Sequence, residues 1–390
     1  MSVTVKAADA AQLLSLVPGL LGFTPTQSLV LVPMARGRSL GAMRIDLPPE
    51  PDADGSAASE IVETVASRSI GMVCRIGEAD AVLAIVYTDA PIDGAPDSAP
   101  LLPGAALFAA LAAHADACGL GLVDALTVAA DGWGSHLDPD LAPGGRSLDE
   151  LRPRGAAAAA LEASTRGVDL AGDQAAGANL PRVGQPARRQ TALALRSLGA
   201  ALEAICGIPQ VNGSGGRIDP AALEAACELD DLPRLFEQAL AWRPADAPMR
   251  AAMVGWCLSR PALRDVALVQ WASDHDGGDL AMEAQRRWED GFDYPADLAS
   301  VMWGEGPRPD ADRVESALAL AREVAALMPK THRPGPLAVC AWLSWALGRS
   351  SHADRYARMA LSLDPRHGLA DIVRSFVAAG HLPDWAFRLR

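Results

Sequence analysis

Three aspartates close apolar runs at similar points in the first third of the chain: "MRID" ends at Asp46, "VYTD" at Asp89 and "VAAD" at Asp131. Three converging carboxylates can hold Mg²⁺ or share a proton. That chemistry requires their strands to be parallel, so that all three side chains emerge at the edge where open α/β sheets take ligands. Tyr87, Thr88 and Trp133 would then be their neighbours in a pocket. The competing reading is plainer and favoured: Asp starts turns after strands and caps helices.

The other candidate chemistries are weaker. "VPGLLGFTPTQSLVLVPM" (Val17 to Met34) has glycines before an apolar run. A phosphate loop needs strand, glycine loop, then helix, whereas the order here is helix, loop, strand. Gly19 suits a helix stop and Pro25 a turn. No G-x-S-x-G elbow occurs, and "NGSGGR" (Asn212 to Arg217) reads as a loop before a helix starting near Asp219. The seven histidines form no H-x-x-x-H pair, and "SDHDGGD" around His275 reads as a solvated loop. Arg182, Arg188 and Arg189 suit an anion or a solvated helix start. The six cysteines form no C-x-x-C pair, which argues against a zinc site or disulfide framework and for buried free thiols. No catalytic residue and no metal ligand is assigned, and the cofactor is unknown.

The elements that would position these residues alternate between helix and strand. "AADAAQLLSLV" has helical spacing and meets the breaker pair Pro18-Gly19. "SLVLVPM" and "LGAMRIDL" read as strands joined by the turn "ARGRS", the second antiparallel to the first. "DADGSAASEIVETVASRS" holds a helix, and "DAVLAIVYTD" is the clearest buried strand. "AALFAALAAHADACG" is a helix closed by Gly119, and "LVDALTVAAD" a further strand. The pattern predicts an α/β N-terminal domain, layered with a mixed sheet, over 1–135. A turn-rich connecting region over 136–187 follows, in which "AAAAALEASTRG" suits one helix.

Residues 188–390 read as an all-α domain. Eight of the nine tryptophans lie in it, and at helical spacing Trp is more often core than cofactor box. In "LAVCAWLSWALGRSSHADRYARMALSLDP", small residues at Ala341, Gly348, Ala353 and Ala360 precede Pro365. Ala317, Ala321 and Pro329 fit the second helix of an earlier unit, and the two prolines stand 36 residues apart. A tetratricopeptide repeat is about 34 residues long, so 312–367 reads as tetratricopeptide-like helical hairpins. An ordinary helical hairpin fits equally well.

The chain has 390 residues and a formal net charge of −14, which disfavours nucleic acid and anionic membranes as partners. No leader-like segment opens it and no uncharged apolar run reaches spanning length, so a cytoplasmic protein is expected.

The blocks "LLSLVPGLLGFTPTQSLVLV", "MRIDLP", "AVLAIVYTD" and "VDALTVAADGWGSHLDPD" resemble, in order, those of the domain of unknown function 4192 family, found largely in actinobacteria. The helical end "RPGPLAVCAWLSWALGRSSHADRYARMALSLDP" is similar too. One departure stands out: the family pattern often carries a tryptophan- and cysteine-rich stretch after "DGW", whereas "GSHLDPDLAPGGRSL" has no cysteine. A metal or redox role suggested by those cysteines does not carry over. The resemblance implies the architecture and no activity. Two functions fit: a non-catalytic interaction or scaffold protein acting through a protein partner of the helical half, and a small-molecule or nucleotide-binding, metal-dependent α/β domain.

Overall fold

The computed structural model describes residues 9–49, 56–92, 101–153, 158, 172–207 and 218–387. Its contacts divide the chain into two compact units that meet in sequence at Gly177 and Ala178.

In the first unit, α1 (Ala10–Leu21) starts at Asp9, whose carboxylate accepts the Gln12 N–H at 2.8 Å. The expected stop at Pro18-Gly19 is wrong, because the helix runs through both. Pro18 removes one i→i−4 hydrogen bond, the one to the Leu14 carbonyl, yet the helix continues for one more turn. The stop is Gly22, whose φ of 79° is left-handed and whose N–H reaches the Pro18 carbonyl at 2.8 Å. β1 (Ser28–Ala35) then turns through Arg36 (φ 50°) and Gly37 (φ 75°) into β2 (Arg38–Ser39). Two successive positive φ values match the twist of a tight hairpin. β3 (Met43–Asp46), α2 (Ser56–Cys74), β4 (Ala81–Tyr87), α3 (Ala105–Ala117), β5 (Gly121–Val128) and β6 (Trp133–Ser135) follow.

The sheet order is β2-β1-β4-β5-β6, with β3 also beside β1. β1 is antiparallel to β2, β3 and β4, β4 is parallel to β5, and β5 is antiparallel to β6. The period-two alternation of the strands separates two faces. Leu29, Leu31, Val82, Ala84 and Val86 pack against Val62, Ile70 and Val73 of α2 and Phe108 and Leu111 of α3. Val30, Val32, Leu83, Ile85 and Leu126 pack against Leu14 and Val17 of α1. Each fully buried aliphatic side chain contributes about 1.5–3 kcal/mol, so a strand buried on both faces is the firmest part of the unit. The helix suggested for "AAAAALEASTRG" lies outside the described residues, apart from Ala158, as does "NGSGGR".

The second unit contains α4 (Gln185–Ile205), α5 (Pro220–Glu228), α6 (Leu232–Ala239), α7 (Pro248–Leu258), α8 (Pro261–Ala272) and α9 (His275–Glu289). α10 (Ala296–Val301), α11 (Ala311–Leu327), α12 (Pro334–Ala346), α13 (Ser350–Leu363) and α14 (Gly368–Ala378) complete it. No strand occurs among its described residues. Its helix starts are written in the sequence: Asp219, Asp231 and Asp310 cap with their side chains, and prolines open α5, α7, α8 and α12. "SDHDGGD" is not a solvated loop. Asp274 accepts the Gly277 N–H at 2.9 Å, and His275 begins α9. Arg188 and Arg189 lie near the start of α4, and Arg182 precedes it.

α12 is buried along its whole length. Trp271, Trp342, Trp345 and Trp385 are buried, and their indole N–H groups donate to carbonyls of Phe236, Met302, His381 and Ala346. Gly348 (φ 77°) turns α12 into α13, with Ala341, Ala353 and Ala360 fully buried; Ala317 and Ala321 of α11 are likewise buried. The expectation of buried thiols holds for Cys257 and Cys340 only. Cys74, Cys118, Cys206 and Cys227 are exposed because they fall at or beside helix C-termini, where a helix leaves the core. Among the described residues, no helix is long and apolar enough to cross a membrane.

Candidate functional site at the β6 edge

β3, β4 and β5 point the same way, since β1 opposes both β3 and β4 and β5 parallels β4. The three strand-end aspartates therefore sit toward one edge of the sheet. Register sets how far apart they are. Ser28 pairs with both Asp46 and Tyr87, and Tyr87 pairs with Val128. Asp46 is thus two strand spacings, roughly 10 Å, from the end of β4, and the end of β5 is one spacing further.

Each aspartate has a local setting. Asp46 is exposed and paired to Arg44 at 2.6 Å. Arg44 also donates to Ser28 Oγ at 2.7 Å. Asp131 Oδ1 accepts the Ile92 N–H at 2.9 Å, which ties the segment after β5 to the one after β4. The Asp89 N–H donates to Gln27 Oε1 at 3.3 Å, and Thr88 Oγ1 accepts the Ala90 N–H at 3.1 Å. Among the described residues, no group of three or more His, Cys, Asp or Glu side chains is placed to hold a metal ion.

Tyr87 and Trp133 do come into relation. Val128 pairs with Tyr87 on one side and Trp133 on the other, and both rings join the α1-side core. The Tyr87 hydroxyl and the Trp133 indole N–H are buried without a hydrogen-bond partner among the described residues. Burial pushes the Tyr87 hydroxyl far above its ordinary pKa, so it stays protonated.

Trp133 is held by a glycine-built clasp. Its N–H donates to the Arg146 carbonyl at 2.9 Å, and the Arg146 N–H returns to Trp133 at 2.7 Å. A Cβ on Gly132 would stand 2.6 Å from the Gly144 carbonyl oxygen. One on Gly145, whose φ is +73°, would stand 2.9 Å from the Trp133 oxygen. "DGWG" and "GGR" are thus two backbones in close approach, where the sequence suggested only turns.

Beside the clasp lies a cleft of about 270 Å³ lined by Ala10, Val123, Asp124, Trp133, Ser135, Leu137, Asp138 and Arg146. A bulge between Val82 and Leu83 shifts the β4–β5 register and sets Val123 outward, 55% exposed. Asp124 Oδ1 accepts from Ser135 Oγ at 2.5 Å and from the Ala125 N–H at 2.8 Å. Arg146 donates to Asp138 at 2.7 Å, and that hydrogen bond holds the Asp138 carboxyl below its ordinary pKa. The guanidinium also lies 5.3 Å from the centre of the Trp133 ring.

The cleft combines an aromatic floor, two carboxylates and one cation. Ser135 has no histidine beside it for activation. His136 sits on the opposite face, its ring 4.5 Å from Phe108 and its Nε2 3.0 Å from Thr127 Oγ1. Thr127 spends its own proton on the Pro103 carbonyl at 2.9 Å, so His136 donates to it. Burial lowers the His136 pKa, which favours that neutral, Nε2-protonated form. The cleft thus presents an aromatic face and two carboxylates, one hydrogen-bonded to Ser135 and one paired with the Arg146 guanidinium.

Of the cleft's lining residues, the sequence reading named Trp133 and did not name Asp124, Ser135, Asp138 or Arg146. The available signal was the glycine pairing around Trp133 and Arg146, which marks two backbones that must touch.

No curated protein and no solved structure matches the chain. A family model does, over residues 11–384, carrying "LLSLVPGLLGFTPTQSLVLV" at one end and the buried α12–α13 pair near the other. The chain therefore belongs to the family described as Domain of unknown function (DUF4192).

Proposed function

We propose that this protein is a non-catalytic interaction module whose helical unit engages an apolar pocket on a folded protein partner. The observation that carries the reading is the exposure of two large aromatics at the end of α9: Trp288 and Phe292 are each 56% exposed. The Arg287 guanidinium lies 5.2 Å from the Phe292 ring centre, which steadies that ring in water. Aromatic anchors dominate binding energy at protein interfaces. The buried small residues of α11, α12 and α13 support a tetratricopeptide-like hairpin as the scaffold behind them. The test is quantitative crosslinking and capture with the full chain against a Trp288→Ser, Phe292→Ser variant of unchanged Tm. The expected result is one protein bound in fixed stoichiometry by the native chain and lost by the variant. Identical capture by both overturns the reading.

A second reading rests on the orphaned Tyr87 hydroxyl at the end of β4: the α/β unit binds a small molecule at the strand ends, by Thr88, Asp89 and Asp131, with Asp46 two strand spacings from β4 and the β6-edge cleft, on which Trp133 lies, apart from it. A thermal-shift screen with Mg²⁺, Mn²⁺ and a nucleotide panel tests it. A ligand at a hundred times its Kd adds about 2.7 kcal/mol, a readily visible shift. A shift abolished by Asp89→Ala supports this reading, and a flat screen removes those ligands from it.

A further inference from the structure

We propose that Cys74 and Cys118 form a reversible disulfide that ties the C-terminal ends of α2 and α3 together. The inference is independent of the interaction reading above, since both residues lie in the α/β unit.

The topology brings the two thiols together. Cys74 is the last residue of α2, and Cys118 is the C-cap of α3. The helices pack on the same face of the sheet, with Val73 and Ala115, close neighbours of the two cysteines in sequence, buried in one core. Each helix then feeds a strand, and those strands are adjacent: Ala81 at the start of β4 pairs with Gly121 at the start of β5. The Gly121 N–H donates to the Asp80 carbonyl at 3.1 Å, which fixes the two strand starts side by side. Both residues are exposed, so a small oxidant reaches them. The thiols are near enough to interact directly: partial burial raises the Cys74 pKa, and a side-chain hydrogen bond with Cys118 raises it further. The other two exposed cysteines, Cys206 and Cys227, lie in the helical unit.

The co-reactant is a low-molecular-weight disulfide such as oxidised glutathione. One cysteine thiolate attacks a sulfur of that disulfide, whose S–S bond breaks as a mixed disulfide forms and one small thiolate leaves. The second cysteine thiolate attacks the protein sulfur of the mixed disulfide and releases the second small thiolate. Two protein thiols are oxidised to one disulfide, one small disulfide is reduced to two thiols, and the two protons pass to the leaving thiolates. Because the thiolate is the nucleophile and the Cys74 pKa is raised, closure speeds up as pH rises.

The experiment treats the full chain with oxidised glutathione, quenches with acid, and maps peptides without reduction. The expected product joins the Cys74 and Cys118 peptides, with the intact mass lower by two hydrogens and the bond reversed by a phosphine reductant. In Cys118→Ser the same treatment leaves glutathione on Cys74 as a stable adduct, which separates close pairing from mere exposure. Glutathione stably retained on both cysteines of the native chain, with no cross-link, overturns the proposal. So does a cross-link from either one to Cys206 or Cys227.

Discussion

Replacing Gly132 by alanine probes the clasp that seats Trp133. The added Cβ meets the Gly144 carbonyl oxygen at 2.6 Å, against the 3.4 Å at which ordinary contact begins. The obstacle is backbone on both sides, so no rotamer relieves it, and Gly132 also offers its carbonyl to the Ala129 N–H at 2.8 Å. Opening the clasp by the missing 0.8 Å takes the paired Trp133–Arg146 hydrogen bonds from 2.9 and 2.7 Å to or beyond their useful limit. Two such bonds are worth about 1 kcal/mol each, and strained packing at Trp133 adds to that, giving about 2–3 kcal/mol. For a unit of this size the transition should fall by roughly 4–12 °C. Scanning calorimetry of the full chain is the assay, and Gly71→Ala is the control. Gly71 is inside α2 with nothing within 4 Å of its would-be Cβ, so alanine there should stabilise by about 0.5–1 kcal/mol. A Gly132→Ala chain that melts with the native protein would refute the close-approach argument.

Three further outcomes are expected. Gly278→Ala, whose Cβ would fall 2.3 Å from the buried Gln270 Oε1, should cost about 1–3 kcal/mol, because Gln270 is already tied to the Pro233 carbonyl and Glu237; a Gln270→Ala background should abolish most of that cost in a denaturant titration. Arg313 holds the Glu237 carboxyl down to about 2 through paired hydrogen bonds, so the helical unit gains stability that is complete above the ordinary carboxylate range and is lost as pH falls toward 2. Glu237 is over a third exposed, so after screening Glu237→Gln should remove about 1 kcal/mol at neutral pH and flatten the acid limb of the stability curve. Burial lowers the His136 pKa, so the unfolded chain takes up a proton first, and the α/β unit should lose stability as pH drops below about 6.5, an effect His136→Gln removes.

The helices of the second unit were legible because capping Asp and first-turn Pro mark their starts, as at Asp219-Pro220 and Asp231-Leu232-Pro233. β4 was legible because a strand buried on both faces has no polar interruption. Pro18 misled because a proline weakens a helix without by itself ending it; the left-handed Gly22 ends this one. "DGWGSHLDPDLAPGGRSL" misled more deeply. Its glycines are the signature of turns when read locally, and their reason is a backbone pairing across more than ten residues, as between Trp133 and Arg146. Asp46 ends β3 as the sequence suggests, whereas Asp89 and Asp131 lie past the ends of β4 at Tyr87 and β5 at Val128; the spacing was hidden because β1 inserts between β3 and β4 from earlier in the chain.

The clasp also settles what the sheet offers to other chains. A free edge strand is a template on which a second copy or a stray peptide adds by backbone pairing. Here β6 is three residues long, and Arg146 already occupies the outward N–H and carbonyl of Trp133. At the other side β2 has two residues and β3 four, too little for a lasting register. A chain cut after Ser135 would lose Arg146 and uncover β6. Such a fragment should aggregate where one extended through Gly177 stays monodisperse, because residues that read as a linker are the sheet's guard against its own kind.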